Sequence, residues 1–220
     1  MDQGEIDYSV VQKSRKLKRL YIAQTWNKQE EEILQSWAEK ASGWAWLHDK
    51  SQRHYHRQSD LLTYPSIILT TISSGIGFTA ANTFWYITYI VAIMNIIATI
   101  FMSFQKFLRS TENAELHSRY FSIFSSYTRK IALELTLNPE DRKDCIDFCK
   151  MCKDEYDKAV AESPPVPDDV IILFKKEFSS EKNKPEVANG LFHFTNYPET
   201  PKRKISASAQ DFNIIVQSNC

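Results

Sequence analysis

The sequence predicts an all-α membrane protein, a two-helix transmembrane hairpin flanked by long cytosolic helices. Two observations carry this. From Asp60 to Lys106 the chain has 45 consecutive residues without Asp, Glu, Lys, Arg or His, although its 220 residues include 27 basic and 27 acidic side chains. On both sides of that block, apolar residues recur at helical spacings of three, four and seven. The averages conceal this contrast, since net charge is zero and mean hydropathy is −0.40. Helices and strands of soluble domains alternate between core and water and seldom run so long without charge. A soluble globular enzyme is therefore the first class to fall. The rival, a core hairpin inside a large soluble protein, lacks an adequate shell, because the remaining residues are dense in charge.

Four segments follow: a cytosolic amphipathic helical region over 1–60, the hairpin over 61–105, cytosolic helices over 106–179 and a flexible or partner-dependent tail over 180–220. In the first, Trp26, Ile33, Leu34, Trp37, Ala41, Trp44 and Leu47 fall on one helix face, with Glu30, Glu31, Glu32, Lys28 and Lys40 on the other. No proline interrupts this helix before Pro65, so it can run directly into the first span. Trp44 and Trp46 suit either an interfacial belt or packing against another helix. The first 30 residues lack the apolar core of a signal peptide, and no cleavage is expected.

A bilayer core of about 30 Å takes about 20 apolar residues per helix, so the uncharged block fits two spans, 61–81 and 84–104. The second has Asn95 as its one strongly polar interior residue. The first is diluted by threonines, serines, Gly75, Gly77 and Pro65, which would lie in its first turn. The turn falls at Ala80-Ala81-Asn82-Thr83. Lys50, Arg53 and Arg57 precede the first span, Lys106 and Arg109 follow the second, and the turn carries no basic residue, so both termini should be cytosolic. Phe84, Trp85, Tyr86 and Tyr89 would mark the far interface and Tyr64 the near one.

After the second span, Phe107, Ala114, His117, Tyr120, Phe124, Tyr127, Ile131 and Leu135 keep helical spacing, which predicts that the span continues as one helix to about Leu137. Asn138-Pro139-Glu140-Asp141 reads as the start of the next helix, with Cys145, Phe148, Cys149, Cys152 and Tyr156 on one face and an end before Ser163-Pro164-Pro165. A short helix at 168–178 has acids in its first turn and lysines in its last. From 181 onward no long period survives.

Three of the four cysteines share a helical face. Thiolates so spaced could take a soft metal, but no second ligand pair accompanies them, so packing and reduced thiols are expected. His54 and His56, two apart on a helix, point away from each other and read as a solvated basic face. No phosphate-cradling loop and no hydrolase or metalloprotease motif occurs. Catalysis, a cofactor, a metal and a nucleic-acid partner are not expected.

The candidate site is a polar seam inside the uncharged block. Thr63, Ser66, Thr70, Ser73 or its neighbour Ser74, and Gly77 recur every three to four residues in the first span, with Leu62, Pro65, Leu69, Ile72 and Ile76 on another face. Thr88, Ala92, Asn95, Thr99 and Ser103 recur likewise in the second. Such seams permit close packing and interhelical hydrogen bonds, or line a narrow wet path if several copies assemble.

The tryptophan-bearing helix, the basic stretch, the hairpin and the pattern Phe107-Leu108-Arg109, Ala114, His117, Tyr120, Tyr127, Ile131, Leu135 together resemble the SLATT superfamily of two-transmembrane effectors, over about residues 30–160. The resemblance implies an oligomeric effector whose hairpin from Leu61 to Phe104 forms or perturbs a membrane pore and whose cytosolic helices assemble and control it. Its expected partners are the lipid bilayer, further copies of the chain and, through the tail, a cytosolic protein. The second expectation is a structural anchor or assembly protein, such as that of a viral particle.

Overall fold

The computed structural model describes residues 8–80 and 85–190, with side-chain surroundings from residue 13 onward except at 15 and 77–80. The chain divides into two units, 1–189 and 190–220, and the described helices belong to the first. Among the described residues every regular element is a helix, and there is no strand. The elements are α1 (Tyr8–Thr25), α2 (Lys28–Ala80), α3 (Trp85–Leu108), α4 (Ser110–Thr136), a 3-10 turn (Pro139–Asp141), α5 (Cys145–Glu162), α6 (Asp168–Glu177) and α7 (Glu186–Asn189).

Helix α2 is the axis of the molecule, about 80 Å long at 1.5 Å per residue. It begins with a reciprocal cap. Asn27 Oδ1 accepts from the amides of Gln29 and Glu30, and Glu30 Oε2 accepts from the Asn27 amide. The helix then runs unbroken through the expected junction at residue 60, as the absence of an early proline suggests. Pro65 therefore lies in its interior instead of in the first turn of a separate span, and it removes one backbone hydrogen bond there.

Helices α3 and α4 lie antiparallel along α2. Ser73 meets Asn95, Thr63 meets Gln105, Gln58 meets Ser110, His48 meets His117 and Ala38 meets Thr128, partner numbers falling as those of α2 rise. The expectation of one helix from the second span to Leu137 is corrected at Arg109, which adopts a left-handed conformation (φ 47°, ψ 35°) between α3 and α4. The reason is phase. The inner face of α3 runs through Ala98, Phe101, Gln105 and Leu108, and an unbroken helix would next turn Glu112 and Glu115 toward α2. The break instead buries Ser110, Ala114 and His117, and both glutamates stay exposed. It also leaves Phe107, expected on the inner face, 83% exposed.

The core lies at the end of α2 remote from the hairpin, where Trp26, Leu34, Ala41, Trp44 and Leu47 meet Phe124, Tyr127 and Ile131 of α4, Cys145, Phe148 and Cys152 of α5, and Val170 and Phe174 of α6. Trp44 stacks on Phe124 at 5.8 Å, and Trp46 meets Phe174 and Phe178 edge-on at 5.4 Å. Both tryptophans are packing residues. α4 ends at Thr136 as its sequence suggests, but Asn138 caps only the 3-10 turn, and α5 starts at Cys145 with Asp144 Oδ1 accepting from the amides of Ile146 and Asp147. Arg142 accounts for the delay. Its guanidinium donates to the carbonyls of Leu135 and Leu137 and to Glu31, holding this stretch extended across the end of α4.

The α3 end of the molecule is different. Tyr89, Ile93, Ile96, Ile100 and Phe104 are all exposed, and Ala98 alone is fully buried among the residues of α3. Among the described residues one helix, beginning at Trp85, is long and apolar enough to cross a membrane. The expected turn at 81–83 and Phe84 lie outside the described residues.

Candidate functional site

The polar seam of α2 and that of α3 take different positions. On α2 the buried positions are Ser59, Ser66 and Ser73, seven apart, with partly buried Leu62, Leu69 and Ile76 between them. This three-four alternation is a heptad seam in which a small residue faces the partner at every second step. The hydroxyl face is thus not separate from Leu62, Leu69 and Ile76, as the sequence suggested, but interleaved with them. Thr63 and Thr70 flank the seam half-buried; the surroundings of Gly77 lie outside the described residues.

On α3 the face toward α2 is Ile87, Val91, Met94, Ala98, Phe101 and Gln105. Thr88, Asn95 and Thr99, with Ala92 and Ser103, form the neighbouring stripe and are exposed. The seam expected to join the two helices therefore points largely sideways. Asn95 alone reaches back, its Oδ1 accepting from Ser73 Oγ at 2.6 Å. Its carboxamide also carries two N–H donors, and no hydrogen bond in the described chain takes them. A residue absent from the expected site, Gln105, provides the other cross-link by donating through Nε2 to Thr63 Oγ1 at 2.9 Å.

The hydroxyls mostly satisfy themselves. Thr63, Ser66, Thr70, Thr71 and Ser74 donate to carbonyls three or four residues back on α2, and Thr99 and Ser103 do so on α3, at 2.7–3.0 Å. A proton spent in this way is compatible with an apolar surrounding.

Where α3 breaks, Lys106 and Arg109 line a groove of about 530 Å³ with Thr63, Ser66, Gln105 and Thr111. The bonds from Ser110 to Gln58 and between Thr111 and Ser59 set Arg57 at the same level. Lys50 and Arg53 lie further along α2, Lys50 over the Trp46 ring at 5.1 Å and Arg53 paired with Asp49 at 3.1 Å. Of the expected basic residues, Lys106 and Arg109 share the groove, while Arg57 is at the same level of α2 but does not line it.

Beyond the groove lies a pair that spacing did not reveal. His48 and His117, both buried, approach through their Nδ1 atoms at 2.7 Å between the rings of Phe124 and Tyr55. Burial lowers the His48 pKa to about 3, helped by the charge His117 would carry, and burial lowers His117 to about 4. Both rings are neutral, one Nδ1 donating to the other, and His48 Nε2 has no partner among the described residues. His54, by contrast, is partly exposed and lies 3.0 Å from Asp169. Cys145 and Cys152 are buried, their thiol pKa values pushed up to about 12 chiefly by burial.

Compared with known proteins, the chain matches no family model, no curated protein and no solved structure.

Proposed function

We propose that this chain is an oligomeric, non-enzymatic membrane protein whose segment 61–104 crosses a bilayer twice, and whose copies meet through the outer stripe of α3 to form or perturb a pore. The observation that carries the reading is the sideways stripe of Thr88, Asn95 and Thr99 on an otherwise apolar helix, with two amide donors of Asn95 unmatched. In lipid such donors are costly unless another helix or water accepts them. Two helices cannot enclose a path, so the acceptor belongs to a neighbouring copy or to water held between copies. Arg57, Lys106 and Arg109 would then lie at one membrane face, both termini on that side, where anionic headgroups favour them. The resemblance to SLATT effectors points the same way.

The test is Asn95→Leu. The substituted protein is expected to insert and assemble in liposomes while ion leakage changes sharply from that of the wild type. Equal leakage from wild type, mutant and protein-free liposomes would remove the pore.

A specific observation favours a second reading, a structural anchor or assembly protein. The hydroxyls of both stripes already bond to their own helices, so the seam needs no water. Under that reading Asn95→Leu costs about 1 kcal/mol or less and leaves leakage at the liposome background.

A further inference from the structure

The chain after α6 turns back onto α2, and the way it is held describes a binding site. Asn183 Nδ2 donates to Glu39 Oε2 at 2.6 Å. Pro185 is fully buried, packed where Gly43 has no side chain; a Cβ at Gly43 would lie 2.6 Å from Pro185 Cδ. The Glu186 carboxylate accepts from Trp44 Nε1 at 3.1 Å, from Tyr156 Oη at 2.9 Å and from Lys40 Nζ at 3.4 Å. Glu39, Lys40, Gly43 and Trp44 form one face of α2, and Tyr156 closes the site from α5.

Three donors converging on one carboxylate make a selective arrangement. The Lys40 side chain is only 14% exposed. Removing the carboxylate would take one acceptor away from an ammonium, an indole N–H and a phenol together. Burial, with the neighbouring Glu186 charge, raises the Tyr156 pKa, so the phenol stays a donor. Gly43 adds a shape requirement for the residue before the acid, because the backbone of α2 lies within reach of the proline ring.

The segment filling this site is slight. Its helix has four residues, a short polar connection joins it to α6, and the chain from Gly190 onward belongs to a separate unit. Local release of such a segment costs far less than unfolding the bundle. Every copy carries the same segment, and exchanging it between copies preserves every contact. We propose that the groove formed by Lys40, Gly43, Trp44 and Tyr156 is a Pro-Glu peptide site, filled by residues 183–189 of its own chain and open to the same segment of a second copy. This does not depend on the membrane reading.

The experiment uses the full-length chain in detergent and a fluorescent peptide with the sequence of residues 181–190. The Glu186→Ala chain, whose own segment is weakened, is expected to bind the peptide saturably. Wild type should bind it at least about tenfold more weakly through competition, and a peptide with Gln in place of Glu186 alone should lose at least about tenfold. Adding Gly43→Ala or Tyr156→Phe to the Glu186→Ala chain should weaken binding further, with circular dichroism melts establishing that each variant is folded. Absence of saturable binding to the folded Glu186→Ala chain, or equal binding of the Gln peptide, would overturn the proposal.

Discussion

His48 and His117 show how single residues set a condition on the fold. Each is neutral in the bundle, with a pKa near 3 and 4, whereas an unfolded histidine titrates near 6.5. Below about pH 6.5 the unfolded chain takes up protons that the folded chain refuses, so stability falls as the pH drops toward 4. The slope is at most about 1.4 kcal/mol per pH unit for each histidine. Chemical unfolding followed by tryptophan fluorescence should show it between pH 7 and 5, and a His48→Leu/His117→Leu protein should show a flatter profile. An identical pH profile for the two proteins would contradict this account. The cysteine face is a second case at this scale. Replacing Cys145, Cys149 and Cys152 by Ala or Val is expected to cost less than about 1.5 kcal/mol per site, as near volume-conserving core swaps do, measurable by thermal melts.

At the scale of elements, two local features decide where helices start and bend. The Asn27–Glu30 cap fixes the start of α2 beside the buried Trp26, whose Nε1 donates to the Lys143 carbonyl at 2.9 Å. Asn27→Ala should lower stability by about 0.5–2 kcal/mol. Arg109 is the opposite case, since a left-handed arginine costs about 1–2 kcal/mol that glycine avoids. Its ion pair with Glu112, at 3.8 Å between largely exposed groups, offsets little of that. Arg109→Gly is therefore expected to raise the melting temperature slightly, and a marked loss would mean that the guanidinium has a further partner. The cap has a local pattern, an Asn followed three residues later by Glu, although the helical period alone placed the start only at about Trp26. The break has none, because it answers to which residues of α4 must face α2, a relation between positions some 50 residues apart or more.

For the whole molecule, the antiparallel course of α3 and α4 along α2 lets topology be tested directly. In a background without native cysteines, Cys at exposed Asp60 and Phe107 should label from one side of the membrane and Cys at Asn82 from the other. Ser51 and Ser110 look equally suitable by position, but both are buried and would report packing instead. Labelling of Phe107→Cys and Asn82→Cys from the same side would refute two spans. The architecture as a whole joins a packed bundle, rich in aromatic stacking, to a hairpin end whose apolar surface is largely exposed, two environments the sequence separates sharply at Asp60 and Lys106.

The sequence by itself determined the helical class, the continuity of α2, the ends of α4 and α5 and most of the inward positions around Leu34, Phe124 and Phe148, because periodicity and turn chemistry act over a few residues. It gave α1 only as part of a helical region over 1–60, without bounds of its own, since that helix mixes lysines through its apolar residues. Only the tertiary structure decided the direction of the α3 stripe, because a hydroxyl bonded to its own helix can face a partner or the outside equally well. The same holds for the His48–His117 pair and the Glu186 site, formed by groups 69 and as many as 146 residues apart. Such groups meet only because two long helices fold back on one another, and no local pattern records which distant side chains will share the interior that results.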